Sequence, residues 1–180
     1  MNNPQESEDL SKKIDYQTIE QTMEKLSGGT RRLAAQLTTS ASFDSLWNVL
    51  TDYDRLNLYI PNLLSSKKIY QQNNNVHLKQ VGAQDFLGMK FSAEVTINLF
   101  EDKELGLLKF SLIKGDFRKF EGSWKIQNIK NTEKNSLIYD LTVQGCQWMP
   151  IGMIEKRLKE DLSENLLAVD RQAKSSMMKG

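Results

Sequence analysis

Between Leu63 and Gln147 apolar and polar residues alternate with a period of two, and on both flanks the period lengthens to that of a helix. In FSAEVTINL the residues Phe91, Ala93, Val95, Ile97 and Leu99 share one side, while Ser92, Glu94, Thr96 and Asn98 share the other. That pattern predicts a half-buried antiparallel strand with one wet face. Phe120, Gly122, Trp124 and Ile126 repeat it, as do Leu137, Tyr139, Leu141 and Val143. Six such runs follow one another, broken at Asn73-Asn74-Asn75, Gly88, Asp102-Lys103, Gly115-Asp116 and Asn131-Thr132, all turn-forming residues. With RRLAAQLTT at 31–39 they predict an antiparallel sheet of about seven strands joined as a meander.

The helical flanks are short on one side and long on the other. Ser42 is placed to cap FDSLWNVL, in which Phe43, Leu46, Trp47 and Leu50 fall on one face. Asp52 is then the cap expected for a second short helix through Leu58 or Tyr59. Pro61 ends it, and Asp54 with Arg55 forms a solvated pair. Leu50, Leu56 and Ile60 are expected to bury against the sheet. Pro150 opens the final helix, whose Ile151, Ile154, Leu158, Leu162, Leu166 and Val169 recur at spacings of three and four. Such a helix is about 35 Å long, enough to lie across a curved sheet. Residues 1–14 are polar and expected to be disordered; 175–180 read as a flexible tail, and 31–174 as one domain. Over 15–30 two readings compete. Ile19, Met23 and Leu26 suit a short helix, whereas Gly28-Gly29 before RRLAAQLTT favours a hairpin and an extra strand.

One strand, two short helices, six strands and a long last helix is the order of the helix-grip α+β fold. ASFDSLWNVLTDYDRLNLYIPNL and GDFRKFEGSWKI give the local match. On these segments the chain resembles the START-like (SRPBCC) superfamily that includes the birch pollen allergens. Within it, the chain is similar to the polyketide cyclase/dehydrase branch, which also holds coenzyme Q-binding START-like proteins and a ribosome-association toxin. The resemblance spans residues 31–172. It implies a cavity between the curved sheet and the last helix, and with it three functions. The first is binding or transport of a hydrophobic molecule: a lipid, isoprenoid quinone, pigment or polyketide-like compound. The second is a cyclase or dehydratase acting on such a molecule. The third is a non-catalytic partner module for a ribosome or protein complex.

In that frame the expected cavity wall comprises Tyr59, Gln80, Phe91, Phe110, Phe120, Trp124 and Tyr139, faced by Met153, Ile154 and Arg157. Each aromatic also fits a solid core, since apolar alternation marks every half-buried strand. GAQDFLGMKF exposes Phe86, Leu87 and Met89 in a glycine-bounded loop, and Trp148-Met149 precedes the long helix. These five are candidates for the cavity entrance or for transient membrane contact.

Composition removes several alternatives. Lys plus Arg number 24 against 23 Asp plus Glu, a net charge of +1 that asks for neither nucleic acid nor anionic lipid. A ribosome partner would need Lys67, Lys68, Lys79, Lys90, Arg118, Lys119 and Lys125 to cluster on the outer face. Cys146 is the sole cysteine and reads as a buried, inert thiol in a reducing compartment. His77 is the sole histidine, and the alternation of Val76, Leu78 and Gln80 turns it outward, so a triad and a zinc site both lack members. Glu94 and Asp140 are a carboxylate pair that could meet in space, but the alternation turns Glu94 outward. No phosphate-binding glycine loop or dinucleotide fingerprint is present. The expectation is a non-enzymatic cytoplasmic binder with no catalytic residue, no metal and no cofactor. No apolar run reaches the roughly 20 residues of a membrane span, and no signal peptide pattern opens the chain.

Overall fold

The computed structural model describes residues 19–86, 89–147, 149 and 151–178, with side chains described outside 84–89 and 151–154. The order is β1 (Ile19–Lys25), β2 (Arg31–Thr39), α1 (Phe43–Thr51), a 3₁₀ turn (Tyr53–Leu58), β3 (Leu63–Gln72), β4 (Asn75–Phe86), β5 (Met89–Asp102), β6 (Leu107–Gly115), β7 (Phe117–Asn128), β8 (Asn135–Gly145) and α2 (Ile151–Met177). All strands join one antiparallel sheet in the spatial order β1-β2-β8-β7-β6-β5-β4-β3. The helix-grip α+β architecture expected from the pattern is present, with eight strands where the alternation alone suggested seven.

The added strand is β1, paired with β2 from Ile19↔Leu37 to Lys25↔Arg31 around a turn where Gly28 and Gly29 take φ of 65° and 76°. An i, i+4 spacing such as Ile19 and Met23 satisfies a strand as well as a helix, and the left-handed turn required by the glycines decides between them. α2 continues through Met177, beyond the point where the pattern placed a flexible tail.

The inward face of β2 shows why the core forms. Leu33, Ala35, Leu37 and Thr39 are all buried, with Thr38 exposed beside them. Over them lies the second half of α2, whose Leu162, Leu166, Val169 and Ala173 are at most 1% exposed. A buried polar link fastens this half. The Thr39 hydroxyl donates to the Asp170 carboxylate, Asp170 pairs with Lys174 at 2.9 Å, and Thr39 Oγ1 accepts the Ala41 N–H at 2.9 Å.

The first half of α2 is held by polar groups at its margins. Arg31 Nε donates to Glu155 Oε1 at 2.6 Å, Lys25 lies 3.5 Å from the other oxygen, and Gln21 Nε2 donates to the Lys159 carbonyl at 2.9 Å. The guanidinium of Arg31 holds the Glu155 carboxyl below its ordinary value, with Lys25 assisting.

The segment from α1 to β3 closes one end of the concave face, with two corrections to its expected chemistry. Ser42 caps α1 as predicted, accepting the Ser45 N–H. The next element is a 3₁₀ turn rather than a second α-helix, and the Asp52 side chain caps nothing; it ion-pairs with Arg55 at 3.5 Å. Asp54 is not Arg55's partner but accepts the Lys68 N–H of β3 at 2.7 Å, tying the turn to the strand. Leu50, Leu56 and also Tyr53 are buried, and Ile60 is half-buried.

Candidate functional site

Between the inner faces of β4–β8, the 3₁₀ turn and α2 lies a cavity of about 310 Å³. Its size sits near the lower end of small-molecule sites, roughly 300–1,000 Å³. Much of its sheet side is built from flat rings. Trp124 and Tyr139, opposite each other on β7 and β8, stack at 4.0 Å and 8°. Phe110 lies 5.6 Å from Phe120, and Phe117 lies 5.4 Å from it. Gly122 lets this cluster close up: on β7 it faces Phe110, whose Cζ approaches within 2.8 Å of where a Cβ would stand.

Of the wall expected from sequence, Gln80, Phe91, Phe110, Phe120, Trp124, Tyr139 and Arg157 come together around this cavity, and so does Met149. Tyr59 does not: its hydroxyl donates to the Val49 carbonyl at 2.5 Å, so the ring locks α1 to the turn after it. The side chains of Phe86, Leu87, Met89, Trp148, Met153 and Ile154 lie outside the described residues.

Four polar wall residues were missed: Ser92, which the alternation had turned outward, and Asn62, Asp161 and Asn165. With Arg157, the last two form a row at i, i+4 and i+8 on α2, beside the apolar row Leu158, Leu162 and Leu166. That second row was the available signal. It is visible in the sequence as a polar residue immediately before each apolar one.

Asn62, held at φ 61° after Pro61, donates to Asp161 Oδ1 at 3.2 Å and so bridges the turn to the helix. Arg157 Nη1 donates to Glu160 Oε2 at 3.1 Å. Gln80 donates to Ser66 at 3.1 Å, and Tyr53 donates to Glu101 at 2.6 Å. Asn165 Oδ1 is buried without a hydrogen-bond partner. Burial first, and the Asp161 carboxylate second, raise the Tyr139 phenol above its ordinary value. Burial likewise raises Tyr53, reinforced by its bond to Glu101. Both are therefore neutral donors at physiological pH, unsuited to serve as phenolate bases.

The other groups singled out in the sequence make local contacts away from the cavity. His77 is half-buried on the outer face with its ring 4.7 Å from Tyr70. Glu94 pairs with Lys79 at 3.0 Å and Asp140 with Arg32 at 2.7 Å, so the two carboxylates do not meet. Cys146 is half-buried rather than buried, its thiol donating to the Asp116 carbonyl. Lys119 pairs with Glu121 at 2.9 Å, so acids interleave with the outer lysines. Among the described residues no group of His, Cys, Asp and Glu is arranged to hold a metal, and no helix is long and apolar enough to cross a membrane.

Comparison with known structures agrees on the fold. A StAR-related lipid transfer protein fragment from Xanthomonas axonopodis superposes with a TM-score of 0.75 at 11% identity, over 87% of this chain and 93% of that one. The Zhui aromatase/cyclase from a Streptomyces species gives 0.68 at 15% identity, over 81% and 94%. Human StAR-related lipid transfer protein 5 gives 0.71 at 5% identity, over 96% and 93%. No curated protein is significantly similar to the chain. Residues 39–170, from the end of β2 to the Asp170 anchor on α2, match the family described as polyketide cyclase / dehydrase and lipid transport. The chain belongs to that family.

Proposed function

We propose that this protein binds a hydrophobic small molecule in the cavity between sheet and α2, as a carrier or buffer and without chemical turnover. The observation that carries this reading is the division of the wall. Aromatic rings cover most of the sheet side, where Gln80, already bonded to Ser66, and Ser92 are the polar exceptions, and the charged wall groups are confined to one row of α2 beside the Asn62 turn. Such a division suits a molecule with an apolar body and one polar end. The family's description joins transport of lipids with cyclase and dehydrase chemistry, and lipid transport is the part of it that this wall fits. Against the enzymatic reading stand the upward-shifted phenols and the pairing of Arg157 with Glu160, which leave the wall better suited to holding a ligand than to moving its protons.

The test is native mass spectrometry of freshly purified protein, followed by organic extraction. A stoichiometric apolar molecule that Trp124→Ala or Tyr139→Ala fails to retain is the expected result. A clean unliganded mass, with no uptake from a cellular lipid and quinone extract, would overturn the proposal.

A further inference from the structure

The net charge of +1 hides a local excess on the outer face of the sheet, the side away from the cavity. Lys67 of β3 stands opposite Lys79 of β4, Lys79 opposite Thr96 of β5, and Thr96 opposite Lys114 of β6. Three lysines therefore share one line across four strands that lie roughly 4.8 Å apart. Like charges directly opposite one another destabilise a sheet, and no buried contact holds these in place, since all three are exposed. Two outward positions further along β6, Lys109 joins the same face opposite Phe100. Among the described residues no carboxylate lies within ion-pair distance of Lys67, Lys109 or Lys114. The carboxylates that adjoin the patch are engaged. Glu94 pairs with Lys79 at 3.0 Å and Glu121 with Lys119 at 2.9 Å, while Asp102 accepts the Leu105 N–H at 3.0 Å.

Aromatic rings stand among these cations. The inward residues Val76, Leu78, Ile97 and Leu99 are buried, so the alternation turns His77 and Phe100 outward. Tyr70 is the cross-strand partner of His77, with ring centres 4.7 Å apart. Phe100 is a diagonal neighbour of His77, roughly 7–8 Å away. Tyr70 is 45% and Phe100 39% exposed. A single exposed ring is ordinary. Rings grouped among cations that lack a partner form the combination that holds a single nucleic-acid strand, with bases stacked on the rings and phosphates against the ammonium groups. Asn98, half-buried opposite His77, adds an amide able to meet the edge of a base.

The arrangement also separates this partner from other polyanions. A duplex keeps its bases stacked and paired, so it would leave the rings unused. A bilayer is entered by apolar side chains that project as a wedge, whereas these rings rise from paired strands and lie beside amides.

We propose that the outer face of β3–β6 binds a single nucleic-acid strand with little sequence preference, its bases on Tyr70 and Phe100 and its phosphates on Lys67, Lys109 and Lys114. The face shares no side chain with the cavity wall, so this role and the carrier role stand or fall separately.

Fluorescence anisotropy of the full chain near neutral pH tests this with labelled dodecamers of oligouridylate, oligoadenylate and duplex RNA. Both single strands should bind, and the duplex at least about tenfold more weakly, the loss of one or more stacked bases. Raising salt from about 50 to about 200 mM should weaken single-strand binding about 20-fold, as three phosphate contacts require. Tyr70→Ala and Phe100→Ala should each cost about tenfold in affinity. Lys67→Ala combined with Lys114→Ala should lower the slope of log affinity against log salt by about 1.4. Lys134→Ala, exposed in the turn before β8, should change neither quantity. All these side chains are exposed, and circular dichroism reports that each variant is folded. No change in anisotropy with any oligonucleotide at low salt would overturn the proposal. So would equal binding of duplex and single strands, ring variants that bind like the parent, or capture by phosphatidylglycerol vesicles in preference to RNA.

Discussion

Adding a single methyl group at Gly122 separates close backbone approach from mere absence of a side chain. Gly122 lies within β7, opposite Phe110 on β6 and Leu141 on β8. A Cβ there would fall inside 3.0 Å of the Asp140 carbonyl oxygen and 2.8 Å from Phe110 Cζ, where ordinary contact begins at 3.4 Å. Phe110 is 6% exposed and wedged between Phe120 and Tyr139, so neither the ring nor the β8 backbone can yield freely. Overpacking of this kind costs roughly 1–3 kcal/mol, against a gain of about 0.5–1 kcal/mol from replacing a strand glycine. Gly122→Ala should therefore lose about 1–2 kcal/mol. For a domain of this size that lowers the melting temperature by roughly 2–8 °C. Gly82→Ala is the matched control. Its Cβ would meet only the Asn62 carbonyl, at an ordinary 3.5 Å, and reduced unfolded-state entropy should leave it level or about 0.4–1 kcal/mol more stable. Thermal melts followed by circular dichroism compare the two. A Gly122→Ala protein melting at or above the parent, or two glycine variants shifting alike, would refute the packing argument.

Thr39→Val keeps the shape of a buried side chain but removes the donor to Asp170 and the acceptor for the Ala41 N–H. It should cost about 1–3 kcal/mol in urea denaturation, whereas Thr38→Val on the exposed side should be near neutral, and equal effects would sink the assignment. Stability should also fall in alkali. Tyr53, Tyr59 and Tyr139 are all raised above their ordinary value of 10.0, with burial the largest cause for each. Because the fold favours the neutral phenol, their contribution is fully present below about pH 10 and is lost as pH rises beyond it. Urea midpoints at about pH 8 and pH 11 should diverge, less so in Tyr53→Phe. A flat profile would count against burial as the cause.

Periodicity carried seven of the eight strands and both helices because each element buries one face, and burial writes its period into the residues. The inward row Phe91, Val95, Ile97 and Leu99, and the α2 row Leu158, Leu162 and Leu166, were legible in this way. The aromatic half of the cavity followed from the same rows. What stayed hidden depended on tertiary partners. Asp54 next to Arg55 reads as a surface pair until β3 folds back and presents the Lys68 N–H. Tyr59 reads as a cavity residue until the Val49 carbonyl claims its hydroxyl. Asp161 and Asn165 resemble any solvated helix position, and only the space opposite α2 turns them into a wall.

An open sheet ends in two edges, and each is a row of backbone groups on which another molecule's strand can assemble. β3 is one of them, and its pairing with β4 slips twice, leaving Leu64 and Ile69 as extra residues that are 61% and 52% exposed. Each slip bends the strand and shifts the phase of its outward groups, so a straight incoming strand cannot keep register along it. Between the two slips, Asp54 already occupies the Lys68 N–H. Two stray apolar side chains that look like an aggregation hazard are thus by-products of the irregularity that protects against it. A straightened β3, by deletion of Leu64 and Ile69, would give this protein the means to form intermolecular sheets.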